Sequence, residues 1–204
     1  VYCSVSGYGQ AGPSSFAPAY DGAIQATSGM MSVTGHPENG PTRVGFTVVD
    51  LGTALMAAFA ISSALYRRAT TGQGQHVDVS MLETSLALLA PLVSAWLNTG
   101  TAPELVGNGS VIKLPTAGSF GTSCGGGILM SAITDKQWLG VTQALGREDL
   151  RTDPRFATAD RRRENNDEGR RVLLTEFAKD TAANWEKRLN AAGVPASAIL
   201  TIPE

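Results

Sequence analysis

Histidine and cysteine are scarce in this chain, with two of each among 204 residues. Cys3 and Cys124 lie far apart in sequence, so no disulfide framework is expected and a reducing, cytoplasmic setting fits. A catalytic thiol would need a positioned base, and only His36 and His76 could serve. Each cysteine is therefore read as a small core residue and each histidine as a surface or loop residue. No metal site is expected. Charge of one sign is also lacking: 16 basic against 18 acidic residues leave a net charge of −2. That excludes a general attraction to polyanions, so no nucleic-acid partner is expected. The most apolar run, Leu51 to Tyr66, falls short of the roughly 20 residues of a membrane span. It carries Thr53, Ser62 and Ser63 and reads as a buried helix. The chain lacks an initial Met and begins in what reads as mid-strand, like a piece of something longer. A missing targeting signal therefore says little. No internal repeat is visible.

What is present is a globular composition, 43% apolar and 17% charged. Residues 1–5 read as a strand, 6–20 as an ordered loop, and 21–32 as a helix starting at Asp21. Residues 33–46 form a second loop. The strongest helix spans 51–69, with Asp50 at its N-cap and Arg67 and Arg68 in its last turn. Being apolar nearly all round, it should be buried on most faces. Residues 75–80 alternate like a half-exposed strand, and 81–98 form a further helix. Composition shifts near residue 99. Strands at 119–122 and 128–133 follow, then helices over 136–145, 167–179 and 182–192, closed by Gly193-Val194-Pro195. The polar stretch 151–163 reads as a solvated loop, including Arg161-Arg162-Arg163. Trp138 and Trp185 read as core. The expected organisation is α/β: residues 1–100 as part of a larger α/β domain, and 101–204 as a smaller α+β domain.

One motif invites a nucleotide-binding reading. Gly7-Tyr8-Gly9-Gln10-Ala11-Gly12 follows a strand and matches G-x-G-x-x-G literally. A dinucleotide-binding turn needs a helix to start at the third glycine, since its N-terminus carries the pyrophosphate. Pro13 could open such a helix, but Pro18 would break it. The acidic residue expected about 20 positions on is missing too. The stretch is read as a tight loop that needs glycine's backbone freedom.

Asp50 is the residue most suited to chemistry. An aspartate before a helix is ordinarily an N-cap. Its apolar flanks, Phe46 to Val49 and the helix beyond, suggest a partly buried carboxylate kept anionic by helix N–H groups. Such a group can act as a nucleophile.

Several segments together resemble the family III CoA-transferases, which include formyl-CoA and carnitine CoA-transferases and the α-methylacyl-CoA racemases. They are Ser6 to Pro13, Pro18-Ala19-Tyr20-Asp21, Ser28-Gly29-Met30-Met31, Thr34-Gly35 and Val48-Val49-Asp50. Further on come Ala64-Leu65-Tyr66-Arg67, Thr71 to Ser80, Asp135-Lys136-Gln137-Trp138, Asp153-Pro154-Arg155-Phe156 and Ala192-Gly193-Val194-Pro195. The resemblance covers essentially the whole chain.

It implies a large Rossmann-like α/β domain with a smaller α+β domain, in an interlocked homodimer. Asp50 matches the catalytic aspartate, which attacks an acyl-CoA thioester and passes through an anhydride and an aspartyl-CoA thioester. The partners implied are an acyl-CoA and a carboxylic acid acceptor, with coenzyme A as a substrate and no tightly bound cofactor. Pro18, Ala19, Tyr20 and Asp21 match a segment that lies along CoA. Some family members carry lysine where Pro18 stands, so one charged contact is lost. Gly107, Asn108 and Gly109 occupy the place of a glycine-rich loop over the active site, here poorer in glycine. The racemase branch has a histidine where this chain has Tyr20, and tyrosine, with a pKa of about 10, is a poor base near neutrality. Racemase activity and a non-catalytic, structural fragment are the alternatives.

Overall fold

The computed structural model describes residues 1–204, apart from the side chain of Cys124, on which the reading of that cysteine as a core residue falls. The chain forms two compact units, Val1–Gly107 and Asn108–Glu204.

In the first unit, β1 (Tyr2–Ser6) pairs in parallel with β4 (His76–Ser80), Tyr2 opposite His76 and Val5 opposite Val79. Parallel neighbours need a long crossover. Here it contains α1 (Asp21–Thr27), a small hairpin of β2 (Gly35–His36) and β3 (Gly40–Pro41), and α2 (Val48–Thr71). Small residues on α2 bring the helix close to the sheet: Ala57 and Ala64 are buried against Val77 and Val79, with half-buried Cys3 packed alongside. A second cluster joins Ile24 of α1, Met30 and Val49 at the start of α2. Ile24 and Val49 are wholly inaccessible, each contributing about 1.5–3 kcal/mol by burial.

Three expectations change here. The helix expected over 21–32 stops at Thr27, because Gly29 takes a positive φ of 84° and a short 3-10 turn follows. The helix expected over 81–98 is two, α3 (Met81–Leu88) and α4 (Ala90–Thr99), bent by 74°. Pro91 sits in the first turn of α4, where its missing N–H costs nothing. Finally, α2 is not buried on most faces: Leu51, Leu55, Phe59 and Tyr66 are all more than half exposed. With 24 residues, α2 has the length and apolarity to cross a membrane. The central helix of an α/β unit has the same composition, and α2 packs one stripe on β1 and β4.

The second unit is an antiparallel sheet of β5 (Ala117–Gly121), β6 (Gly127–Ser131) and β7 (Ala196–Ala198). Its helices are α5 (Asp135–Leu145), α6 (Ala159–Glu164), α7 (Asn166–Phe177) and α8 (Ala182–Ala191). On β6, Ile128 and Met130 are buried while Leu129 is half exposed, the period of two of a one-sided sheet. Phe120, Phe177 and Trp185 meet in series, the first pair tilted and the second edge to face, and the Trp185 indole donates to the Phe177 carbonyl at 2.9 Å. Thr134 and Gln137 form a capping box at α5. The arginine run is not a solvated loop. It lies on α6, and Arg162 is buried, donating to the Phe156 carbonyl and to Asp135 and lying over the Trp138 ring. Burial is tolerated because these partners satisfy the guanidinium.

The same unit has an acid-sensitive clasp. Glu176 is buried; burial pushes its carboxyl up, but hydrogen bonds from Lys179 and Arg147 outweigh this and hold it below its ordinary value. Arg147 bonds also lower Asp149. A depressed carboxylate adds stability above its unfolded pKa, about 4.3 for glutamate, and that stability is lost as pH falls through the folded value. Melting followed by Trp138 and Trp185 fluorescence should drop by several degrees between about pH 6 and pH 3. Glu176→Gln should start lower and flatten that slope.

Candidate active site

The first turn of a helix leaves N–H groups without partners. In α2 the N-cap residue is Thr47, and its side chain makes no capping bond. The cap comes from another helix. Asp21, at the start of α1, accepts through Oδ2 from the Val49 N–H at 2.8 Å and the Asp50 N–H at 3.3 Å. Its Oδ1 accepts from Gln25 Nε2 at 2.6 Å, and Gln25 Oε1 accepts from the Val44 N–H at 2.9 Å. Asp21 and Gln25 are both buried. Three N–H donors offset the cost of burying the carboxylate, and the α2 dipole adds to them.

Asp50 is thus not the N-cap, and it is not partly buried. It stands in the first turn of α2, inside the helix, and is exposed. The helix, expected from residue 51, already begins at the β-branched pair Val48-Val49. A first-turn aspartate often folds back onto its own helix N–H groups. Asp21 already occupies those of Val49 and Asp50, and among the described hydrogen bonds none involves the Asp50 carboxylate. The result is an exposed carboxylate, free of donors, on a helix N-terminus whose partial positive charge favours anions.

Pro18, Ala19 and Tyr20 form an extended segment leading into α1. Pro18 and Tyr20 are exposed and Ala19 is half-buried. The opening glycine loop makes room for them. A Cβ on Gly7 would lie 2.3 Å from the Ala19 Cβ, while Gly9 and Gly12 have φ of 88° and 99°. No helix starts at Gly12, as Pro18 requires. The structure therefore places Tyr20, Asp21 and Asp50 together at the junction of α1 and α2. It shows no such link for the other three residues. Gly107 donates to the Gly35 carbonyl and lies against His36, where a Cβ would come within 2.5 Å of Nδ1. Asn108, in the second unit, accepts from the Ser119 N–H, and Gly109 follows it. No described hydrogen bond joins any of them to Asp50.

His76 bonds the Ser4 hydroxyl at 2.9 Å across β1 and β4, and His36 lies 3.6 Å from Glu38; no described hydrogen bond joins either to Asp50. Among the described residues no cluster suited to a metal ion occurs. Gln25 escaped the sequence reading. Its signal was the Asp21-x-x-x-Gln25 spacing, which puts two polar side chains on the face that also carries buried Ile24.

Comparison with known proteins shows the family and the fold. The model of CoA-transferase family III matches residues 1–204. The chain is 38% identical over 211 residues to the acetyl-CoA:oxalate CoA-transferase of Acetobacter aceti, covering all of this chain and 52% of that protein. It is 33% identical to the succinate–glutarate CoA-transferase of Agrobacterium fabrum, covering all of this chain and 50% of that one. A crystal structure of a CAIB/BAIF family protein from Brucella suis superposes with a TM-score of 0.86 at 31% identity, over the whole chain and 53% of that protein. The chain spans about half the length of the curated relatives it matches.

Proposed function

This chain belongs to CoA-transferase family III, and on that footing we propose that the complete protein moves coenzyme A from an acyl-CoA to a carboxylic acid, with Asp50 as nucleophile. The observation that carries the reading is the exposed, donor-free Asp50 carboxylate at an α2 N-terminus capped by Asp21.

The steps balance without a net proton. An Asp50 oxygen attacks the thioester carbonyl, the C–S bond breaks, and CoA thiolate leaves an acyl-aspartyl anhydride. The thiolate attacks Cγ of Asp50 and expels the donor acid, giving an aspartyl-CoA thioester. The acceptor carboxylate then attacks that thioester and releases thiolate. The thiolate finally attacks the acceptor carbonyl and frees Asp50. Splitting one difficult exchange into several acyl transfers is ordinary covalent catalysis. The names of the relatives, with oxalate and glutarate, suggest a short dicarboxylic acid as acceptor.

The reading includes the segment Pro18-Ala19-Tyr20 lying along CoA. Because the Asp21 carboxylate is turned inward, any contact from that residue comes from its backbone. Gly107, Asn108 and Gly109 form the covering loop, and the protein is a homodimer. Racemase chemistry would need a base where Tyr20 stands, and its hydroxyl is a poor one.

Each turnover carries one acceptor oxygen onto Asp50 and one Asp50 oxygen onto the released acid. A single turnover with ¹⁸O-labelled oxalate should therefore leave ¹⁸O in the Asp50 peptide. An unlabelled peptide after completed transfer would exclude the covalent route. Deuterium entering the α-position of a 2-methylacyl-CoA, with no acceptor present, would support the racemase reading instead.

A further inference from the structure

We propose that Gln25 is a positioning residue for the Asp50 chemistry, a role that rests on Asp50 being the nucleophile. A fully buried glutamine, next in sequence to the core residue Ile24, is costly unless both ends of its amide are bonded. Here both are. The nitrogen must face the Asp21 carboxylate and the oxygen must face the Val44 N–H, so the amide has one workable orientation. That orientation holds Asp21 Oδ1 and leaves Oδ2 for the N–H groups of Val49 and Asp50. Gln25 thereby ties α1 to the lead-in segment at Val44 directly, and to the first turn of α2 through Asp21. Packing alone would be served by leucine. The hydrogen bonds fix the carrier of the nucleophile from two sides, and nucleophile placement is worth large factors in rate.

Two variants of the complete protein test this, with acetyl-CoA and oxalate as substrates. Gln25→Leu keeps the volume and removes both bonds. It should lower kcat by about 30- to 100-fold with KM for acetyl-CoA changed less than about 2-fold. Gln25→Glu adds a sharper readout. The charged groups on the elements around position 25 are Asp21 on α1, Asp50 on α2, Arg43 beside Gly22, and Glu83 on α3, which is bonded to Ser80. A glutamate next to Asp21 makes two carboxylates that can share one proton. With both ionised the contact repels; with one proton shared it is restored. Relative to wild type, kcat of Gln25→Glu should rise about 10-fold as pH falls from 8 to 6, whereas Gln25→Leu should show no such recovery.

Wild-type kcat in Gln25→Leu, a change in KM alone, or a Gln25→Glu ratio flat with pH would each overturn the proposal. If Gln25→Leu fails to fold, the Gln25→Glu profile still decides. Trapping Asp50 in the wild-type protein separates the two readings: a labelled Asp50 with an indifferent Gln25 removes only this one.

Discussion

Asp50→Asn should lower kcat for CoA transfer by about 10⁴-fold or more, with melting temperature unchanged. The amide is nearly isosteric with the carboxylate but cannot form the anhydride. Stability should hold because the Asp50 side chain is exposed and no described hydrogen bond involves its carboxylate. Surface substitutions of that kind stay within about 0.5 kcal/mol. Steady-state kinetics beside a thermal melt checks both halves. Asp50→Glu keeps the charge but advances it by one methylene, and should lose about 10²-fold through misplacement. Loss of activity together with loss of fold would point instead to a structural role for Asp50.

Asp21→Ala should behave differently, costing both stability and turnover. It leaves the N–H groups of Val49 and Asp50 and the Gln25 amide without their acceptor in a buried place. A lost cap costs about 1–2 kcal/mol, and the buried orphans it leaves add about 1–3 kcal/mol. The loosened α2 start should lower kcat by about 10²-fold. Asp21→Asn should recover only part of this. Its carbonyl can still accept from α2, but its NH₂ then faces the Gln25 NH₂. Turning Gln25 over sets that amide nitrogen against the Val44 N–H instead. If Asp21→Ala raised KM for acyl-CoA and left kcat and stability intact, Asp21 would be a ligand-binding residue rather than a cap.

Much of this was legible in the sequence, where local pattern governs local structure. The alternation in β4, the existence of a strand at β6, the burial of Trp138 and Trp185, and the loop forced by Pro18 all follow from spacing and turn chemistry. The position of Asp50 at the head of a long helix followed as well. What failed was non-local. The cap of α2 comes from a residue 28 positions away, and no local pattern announces that. Val48 and Val49 look extended by propensity, yet Asp21 and burial draw them into the helix. Arg162 looked solvated because a charge run usually is; only the fold supplies the Phe156 carbonyl and Asp135 that let it be buried. An all-apolar helix likewise does not say which of its faces its own unit will cover.

The account turns on a covalent aspartyl intermediate. Incubating the complete protein with acetyl-CoA, quenching with hydroxylamine and mapping peptides by mass spectrometry tests it most directly. The account predicts a hydroxamate on Asp50, dependent on acetyl-CoA and absent from Asp50→Asn. An active protein whose Asp50 peptide stays unmodified, or whose adduct lies on another residue, would contradict it.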